Sequence, residues 1–288
     1  MSGGDVFDRP IRLAVFFDYE VSAGGAYQQA VNAALLVRQL PPELCEPVFV
    51  STRQSSVNAL HRYGIDAIYL PMSSWHNKLL WVRSRVTHGR LMNLVHQVFG
   101  LNWLDRFLDA QGIDLIYFTS PSELALLTEE YNYLFTMWDL CHRDELEFPE
   151  VREDRLFEHR EAFYQRVLLK AVGIFVDSVQ ARENAARRYG LDISRSHVMP
   201  SSPAVGTTLT EVEYVAGYID IKAKYGLQHD YIFYPAQFWA HKNHVYVLRG
   251  LRALEQRNGI QLAAIFAGGD KGNLKYIESV ASSLGLTD

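Results

Sequence analysis

Long apolar runs are missing from this sequence. No uninterrupted apolar segment approaches the roughly 18 residues that mark a bilayer-crossing helix, so no membrane span is expected. The opening Met1-Ser-Gly-Gly-Asp5 lacks the basic stretch and apolar core of a signal peptide. Cysteine is scarce: Cys45 and Cys141 lie far apart, form no metal-ligand spacing, and read as free thiols in a reducing compartment. Positive charge is also in deficit. A formal net charge of -5 gives no reason to expect attraction to nucleic acid. The glycine spacing of the dinucleotide-binding fingerprint is absent as well. Together these absences imply a cytoplasmic chain without a membrane span, a metal cluster or a nucleic-acid partner.

What is present is hydrophobic content arranged in alternation. The 288 residues are 48% hydrophobic, enough for one large or two medium domains with cores of their own. Apolar, β-branched and aromatic runs at 11–17, 46–51, 68–70, 113–118, 131–137, 173–177, 197–199 and 261–267 read as strands. Between them, helical spacing predicts helices over 26–40, 55–63, 152–169 and 274–284, with Pro41-Pro42 and Gly64 as stops and Ser178 as an N-cap. Strands alternating with helices predict an α/β fold with a parallel sheet. After Pro200-Ser-Ser-Pro203 the apolar periodicity weakens, which divides the chain into a first domain at 1–205, a linker at 206–228 and a second domain at 229–288. The second domain holds only two βα units, whose apolar faces call for further strands and helices to cover them.

The stretch Tyr231-Ile-Phe-Tyr-Pro-Ala-Gln-Phe-Trp-Ala-His-Lys-Asn-His244 is an apolar strand, a break at Pro235, and a polar cluster that runs into a helix. In open α/β sheets ligands lie outside the carboxyl ends of strands, and helix amino termini favour anions. Gln237, His241, Lys242, Asn243 and His244 therefore suit a phosphate-bearing ligand, with an ordinary exposed loop as the alternative. Gly24-Gly25 follows the first strand, where it serves either a close backbone approach to a ligand or a plain tight turn. Trp138 to Glu150 places Asp139, His142, Arg143 and several acids just past a strand end. His142 has the chemistry of a base near neutral pH, set against a surface histidine without a role. The segment 74–108 carries Trp75, Trp81 and Trp103 with a local formal charge of +4. Basic helices with tryptophan are an interfacial membrane signature, and a crossover helix with a solvated basic side is the competing reading.

With these loops in place, the chain resembles a family 4 glycosyltransferase of the GT-B fold. The resemblance rests on Gly24-Gly25, Phe135-Thr-Met-Trp-Asp-Leu-Cys-His-Arg143 with Phe148-Pro-Glu150, Phe175-Val-Asp-Ser178 and Tyr234-Pro-Ala-Gln-Phe-Trp-Ala-His-Lys-Asn-His244. The second and last of these blocks resemble bacterial mannosyl- and rhamnosyltransferase-like enzymes that act on surface polysaccharides. The resemblance implies a complete N-terminal Rossmann-like domain on the acceptor side and the first part of a second one on the donor side, with the active site between them. It implies a retaining transfer of a hexose or deoxyhexose from a nucleotide sugar to a growing glycan or lipid-linked glycan, with no metal and no cofactor. Lys242 matches a basic residue at the donor diphosphate, and Gly24 and Gly25 match a loop offering backbone N–H groups to the same phosphates. Gln237 replaces a phosphate-gripping arginine that many members have. The family's His-Asp pair is here Trp138-Asp139, so Asp139 matches and His142 is the candidate to replace the histidine. The late glutamate motif of the second domain is missing, which sets a non-catalytic glycan- or partner-binding fragment beside the enzyme and makes activity of this chain alone doubtful. A nucleotide-sugar epimerase is a third reading. Work on lipid-carried acceptors would place the protein peripherally on the inner face of the membrane, through 74–108.

Overall fold

A computed structural model describes residues 9–18, 25–85, 103–128, 130–203, 212, 215 and 217–286. The chain divides into two compact units. The first comprises 1–143 and 157–208, and the second 144–156 and 209–288. Each is described by itself.

The first unit is a seven-stranded, all-parallel sheet. Its strands are β1 (Ile11–Phe17), β2 (Cys45–Ser51), β3 (Ala67–Tyr69), β4 (Leu115–Phe118), β5 (Tyr133–Thr136), β6 (Gly173–Val176) and β7 (Ser196–Val198). They lie in the order β3-β2-β1-β4-β5-β6-β7. A strand points successive side chains to opposite faces, and β1 shows this cleanly. Ala14 and Phe16 join one buried cluster with Ile116, Phe118 and Phe135, while Leu13, Val15 and Phe17 join another with Phe49 and Tyr117. Helices cover both faces. The first cluster packs against α3 (Ser74–Arg85), α4 (Trp103–Ala110), the helix Leu156–Lys170 and the helix Val179–Tyr189; the second packs against α1 (Gly25–Arg38) and α2 (Gln54–Leu60). Burying each large apolar side chain of this kind stabilises the fold by about 1.5–3 kcal/mol. This is the α/β architecture expected from the alternating runs. Ser178 caps Val179–Tyr189 as anticipated, its hydroxyl accepting from the Ala181 N–H at 3.1 Å.

The β1/β4 boundary is the topological switch point, because the chain winds outward in one direction through β2 and β3 and in the other through β5 to β7. Past the carboxyl end of β5 a one-turn helix, α5 (Cys141–Asp144), precedes α6 (Leu156–Lys170) and α7 (Val179–Tyr189). Residues 144–156, which lie between α5 and α6 in sequence, group with the second unit, and no local pattern signals this.

In the second unit a short helix, α8 (Ile221–Tyr225), is capped by Asp220, which accepts from the Ala223 N–H at 3.0 Å. Two parallel strands follow, β8 (Tyr231–Tyr234) and β9 (Ala263–Phe266), with α9 (His244–Asn258) and α10 (Leu274–Ser283) packed through Phe238, Leu248 and Ile277. Ile232 and Phe233 of β8 are 37% and 58% exposed. Among the described residues no helix is long and apolar enough to cross a membrane.

Candidate functional site

In the second unit the candidate site grows from the loops after β8 and β9. These loops touch backbone to backbone. The Phe238 N–H donates to the Gly269 carbonyl at 3.0 Å, and Phe238 forms a parallel bridge with Asp270. Gly268 allows this approach, since a Cβ there would lie 2.2 Å from the Ala236 carbonyl oxygen. Gln237 is half-buried, and its Oε1 accepts the Trp239 indole N–H at 3.0 Å. Trp239 stacks on His241 with ring centroids 6.4 Å apart, and the Lys271 ammonium sits 5.5 Å from the Trp239 ring centre.

His241 is fixed from the segment 144–156. One carboxylate oxygen of Glu150, Oε1, accepts both the His241 backbone N–H at 3.0 Å and Nδ1 at 2.8 Å. Phe148 packs edge-on to the same imidazole at 6.0 Å. Burial pushes the Glu150 carboxyl up, but the hydrogen bonds from His241 outweigh it and hold the group below the usual range. The turn Ala240–Lys242 that follows is tied at its end by the Tyr234 hydroxyl, which donates to the Lys242 carbonyl at 2.7 Å. Lys242 itself is exposed, and among the described residues its ammonium makes no hydrogen bond or ion pair.

Asn243 then takes a left-handed conformation (φ 49) and caps α9 by accepting from the Tyr246 N–H at 3.2 Å. The next residue, His244, does not face a ligand. It is fully buried, stacked on Phe238 at 4.8 Å and edge-on to Tyr234 and Phe266, so burial lowers its pKa.

In the first unit Asp139 and His142 prove to have different surroundings. The Asp139 side chain is 42% exposed. Its Oδ1 accepts from the Cys141 N–H at 2.9 Å and from Arg160 at 2.5 Å. Burial raises this carboxyl, and the Arg160 guanidinium with these hydrogen bonds more than offsets that, leaving it below the ordinary aspartate range. His142 has no exposed surface. Its Nε2 faces Glu161 and the Tyr189 hydroxyl, each at 3.3 Å, and its ring packs on Phe157 and Tyr164. Burial, with the nearby Arg160 charge, pushes its pKa down to about 4. The imidazole is neutral at physiological pH but enclosed, so in this structure it presents no atom to a substrate. Glu161 is the hub beneath it, bonded to Arg143, Gln165 and Tyr189, and Arg143 above all holds its carboxyl down to about 2.

Of the two glycines expected to face phosphate, Gly24 lies outside the described residues. Gly25 opens α1 and is exposed, and a Cβ there would meet nothing within 4 Å. The residue beside that loop that the sequence reading passed over is Asp18, at the switch point. Its two oxygens accept from Thr52 at 2.6 Å and Ser122 at 2.8 Å, so one carboxylate ties the carboxyl end of β1 to the segments after β2 and β4. Burial raises its pKa against the pull of those hydroxyls. Glu150 stood inside a quoted motif without a role, and Lys271 and Arg160 carried no local signal at all. Among the described residues no group of three or more His, Cys, Asp or Glu side chains is placed to hold a metal ion.

No protein-family model and no curated protein matches the sequence. Solved structures do match in fold. A glycosyltransferase from Rickettsia africae aligns with a TM-score of 0.56 at 14% identity, over 98% of this chain and 67% of its own. Anabaena Alr3699/HepE, solved in complex with UDP and glucose, aligns with a TM-score of 0.60 at 13% identity, over 96% and 67%. A putative UDP-N-acetylglucosamine 2-epimerase from Listeria monocytogenes aligns at 0.57 and 13%, over 97% and 67%. The chain thus spans about two thirds of the length of each neighbour. At such identities the likeness establishes the fold, an α/β Rossmann-like chain of GT-B type.

Proposed function

We propose that this chain is the nucleotide-sugar-handling part of a glycosyltransferase. The carrying observation is the exposed Lys242, unpaired among the described residues, on a turn braced by Glu150, His241 and Tyr234 at the amino terminus of α9. A cation and a helix amino terminus held on rigid supports suit a diphosphate. The UDP and glucose in the HepE complex support a nucleoside diphosphate sugar as the ligand class.

In this reading the bond between the sugar's anomeric carbon and the diphosphate oxygen breaks, and its electron pair stays on the diphosphate. The Lys242 ammonium stabilises that growing charge, while an acceptor hydroxyl oxygen bonds to the anomeric carbon and its proton passes to the departing diphosphate oxygen. No metal or cofactor is invoked, and Gln237 contributes a neutral contact only. We assign Asp139 to the acceptor side, oriented by Arg160, and His142 to positioning: it is the buried residue of α5, and together with Arg143 it anchors that turn on Glu161. Retention of configuration, a hexose or deoxyhexose donor of the mannose or rhamnose kind and a surface glycan acceptor are the finer parts of the proposal.

The proposal extends to an anionic membrane surface, reached through α3. Trp75 and Trp81 are each 57% exposed there, whereas Trp103 is half-buried and stacks on His76 at 4.5 Å. Two tryptophans rather than three are therefore exposed on α3 and α4, and residues 86–102 of the segment lie outside the described residues.

A second reading, epimerisation of a nucleotide sugar, is favoured by the Listeria neighbour. Calorimetric screening of nucleoside diphosphate sugars, followed by product analysis, separates the two. Transfer to a glycan releases free nucleoside diphosphate, whereas epimerisation leaves the nucleotide sugar intact with an inverted centre.

A further inference from the structure

A diphosphate brings more than one negative charge, and one solvated lysine offsets only part of it. A second cation lies on the neighbouring loop. The β9 loop carries Lys271, and that loop is joined to the β8 loop through Phe238, Gly269 and the close approach at Gly268. The Lys271 ammonium rests over Trp239, whose indole N–H is anchored on Gln237 and whose ring stacks on His241. His241 is the residue immediately before Lys242. An unbroken series of contacts therefore runs from Lys271 through Trp239 and His241 to the Lys242 turn, and Glu150 braces it from the far side.

Two carboxylates of these loops already accept hydrogen bonds. Glu150 is taken up by His241, and Asp270 turns its Oδ1 back to the Gly272 and Leu274 N–H groups. Among the described residues Lys271 has no carboxylate partner, and it is held by an aromatic face instead. An exposed cation–π contact is weak, so leaving it for a phosphate costs little.

We propose that Lys271 is a second diphosphate-binding cation of the Lys242 site, parked on Trp239 when no anion is bound. The inference rests on the nucleotide-sugar reading and deepens it. It also supplies, from a neighbouring loop, the charge that Gln237 does not carry.

The test is calorimetric titration of the full chain with UDP, inorganic diphosphate and uridine at several salt concentrations, for wild type, Lys271→Met and Lys271→Arg. Circular dichroism verifies that the variants fold, which an exposed position favours. Lys271→Met is expected to weaken UDP and diphosphate about tenfold and to flatten their salt dependence, while uridine is unaffected. Lys271→Arg should keep most of the affinity. Wild-type affinity and salt dependence in Lys271→Met, with UDP still bound far better than uridine, would overturn the role of Lys271 and leave the donor reading standing. Wild-type protein that binds neither inorganic diphosphate nor UDP better than uridine would overturn the diphosphate reading of the Lys242 turn and this inference with it.

Discussion

Glu150 holds His241 twice with one oxygen: Oε1 accepts both the backbone N–H at 3.0 Å and Nδ1 at 2.8 Å. The pair decides where the Lys242 turn sits, because His241 is the middle residue of that turn. Glu150→Ala leaves two half-buried donors without an acceptor, at a cost of about 1–3 kcal/mol. Urea unfolding should show that loss, and UDP affinity should fall with it although no phosphate contact has been deleted. The carboxylate lies below its ordinary pKa in the fold, so its stabilisation is complete above the unfolded value and is lost as pH falls through the folded one. Wild-type stability should therefore decline on the acid side of about pH 4.3 more than that of Glu150→Gln.

His142 makes an opposite contribution to charge but the same sign in pH. Its folded pKa of about 4 lies below the unfolded value near 6.5. Between those limits the unfolded chain binds a proton that the folded chain refuses, so stability is complete above the upper limit and falls as pH drops towards the lower. The slope should reach about 1.4 kcal/mol per pH unit and be missing in His142→Gln. NMR titration gives the direct check: an imidazole that titrates near 6.5 in the native protein would contradict the buried placement.

Gly268→Ala places a methyl group against backbone, 2.2 Å from the Ala236 carbonyl oxygen. The clash is with backbone rather than a flexible side chain, next to the Phe238–Gly269 hydrogen bond that joins the two loops. A loss of about 1–3 kcal/mol is expected from the overpacking. Gly25→Ala, where a Cβ meets nothing, should be near neutral for stability, and thermal unfolding of the two variants provides the comparison.

The α3 surface predicts co-sedimentation with anionic vesicles. Binding that persists at moderate salt and falls in a Trp75→Ala, Trp81→Ala double variant indicates insertion of the exposed rings. Binding that vanishes with salt and ignores the tryptophans indicates charge alone. No binding at low salt contradicts the membrane part of the proposal.

The strands were legible because β1, β4 and β5 are buried on both faces, which demands continuous apolar, β-branched and aromatic runs. Caps such as Ser178 were legible for the same local reason: a hydroxyl before a helix satisfies its own neighbour. Partnerships between distant segments were not. Nothing in Phe148-Pro-Glu150 announces that its acid will reach His241, 91 residues on, because that contact is made by tertiary packing. His142 looked like a loop histidine, and only the packing of Phe157, Tyr164 and Tyr189 encloses it. Lys271 follows Gly268-Gly-Asp270, which reads as an exposed turn until the β8 loop is laid against it.

The central claim is that the Lys242 turn receives the diphosphate of a nucleotide sugar. Calorimetry with UDP, UDP-sugars and their counterparts with other bases, on wild type and Lys242→Ala, tests it most directly. The account predicts saturable binding of at least one nucleoside diphosphate by wild type and a marked loss in Lys242→Ala, with a fall in turnover on the order of a hundredfold where transfer is measurable. Equal affinity of the two proteins for every nucleoside diphosphate that binds would contradict it, leaving Lys242 a solvated loop residue.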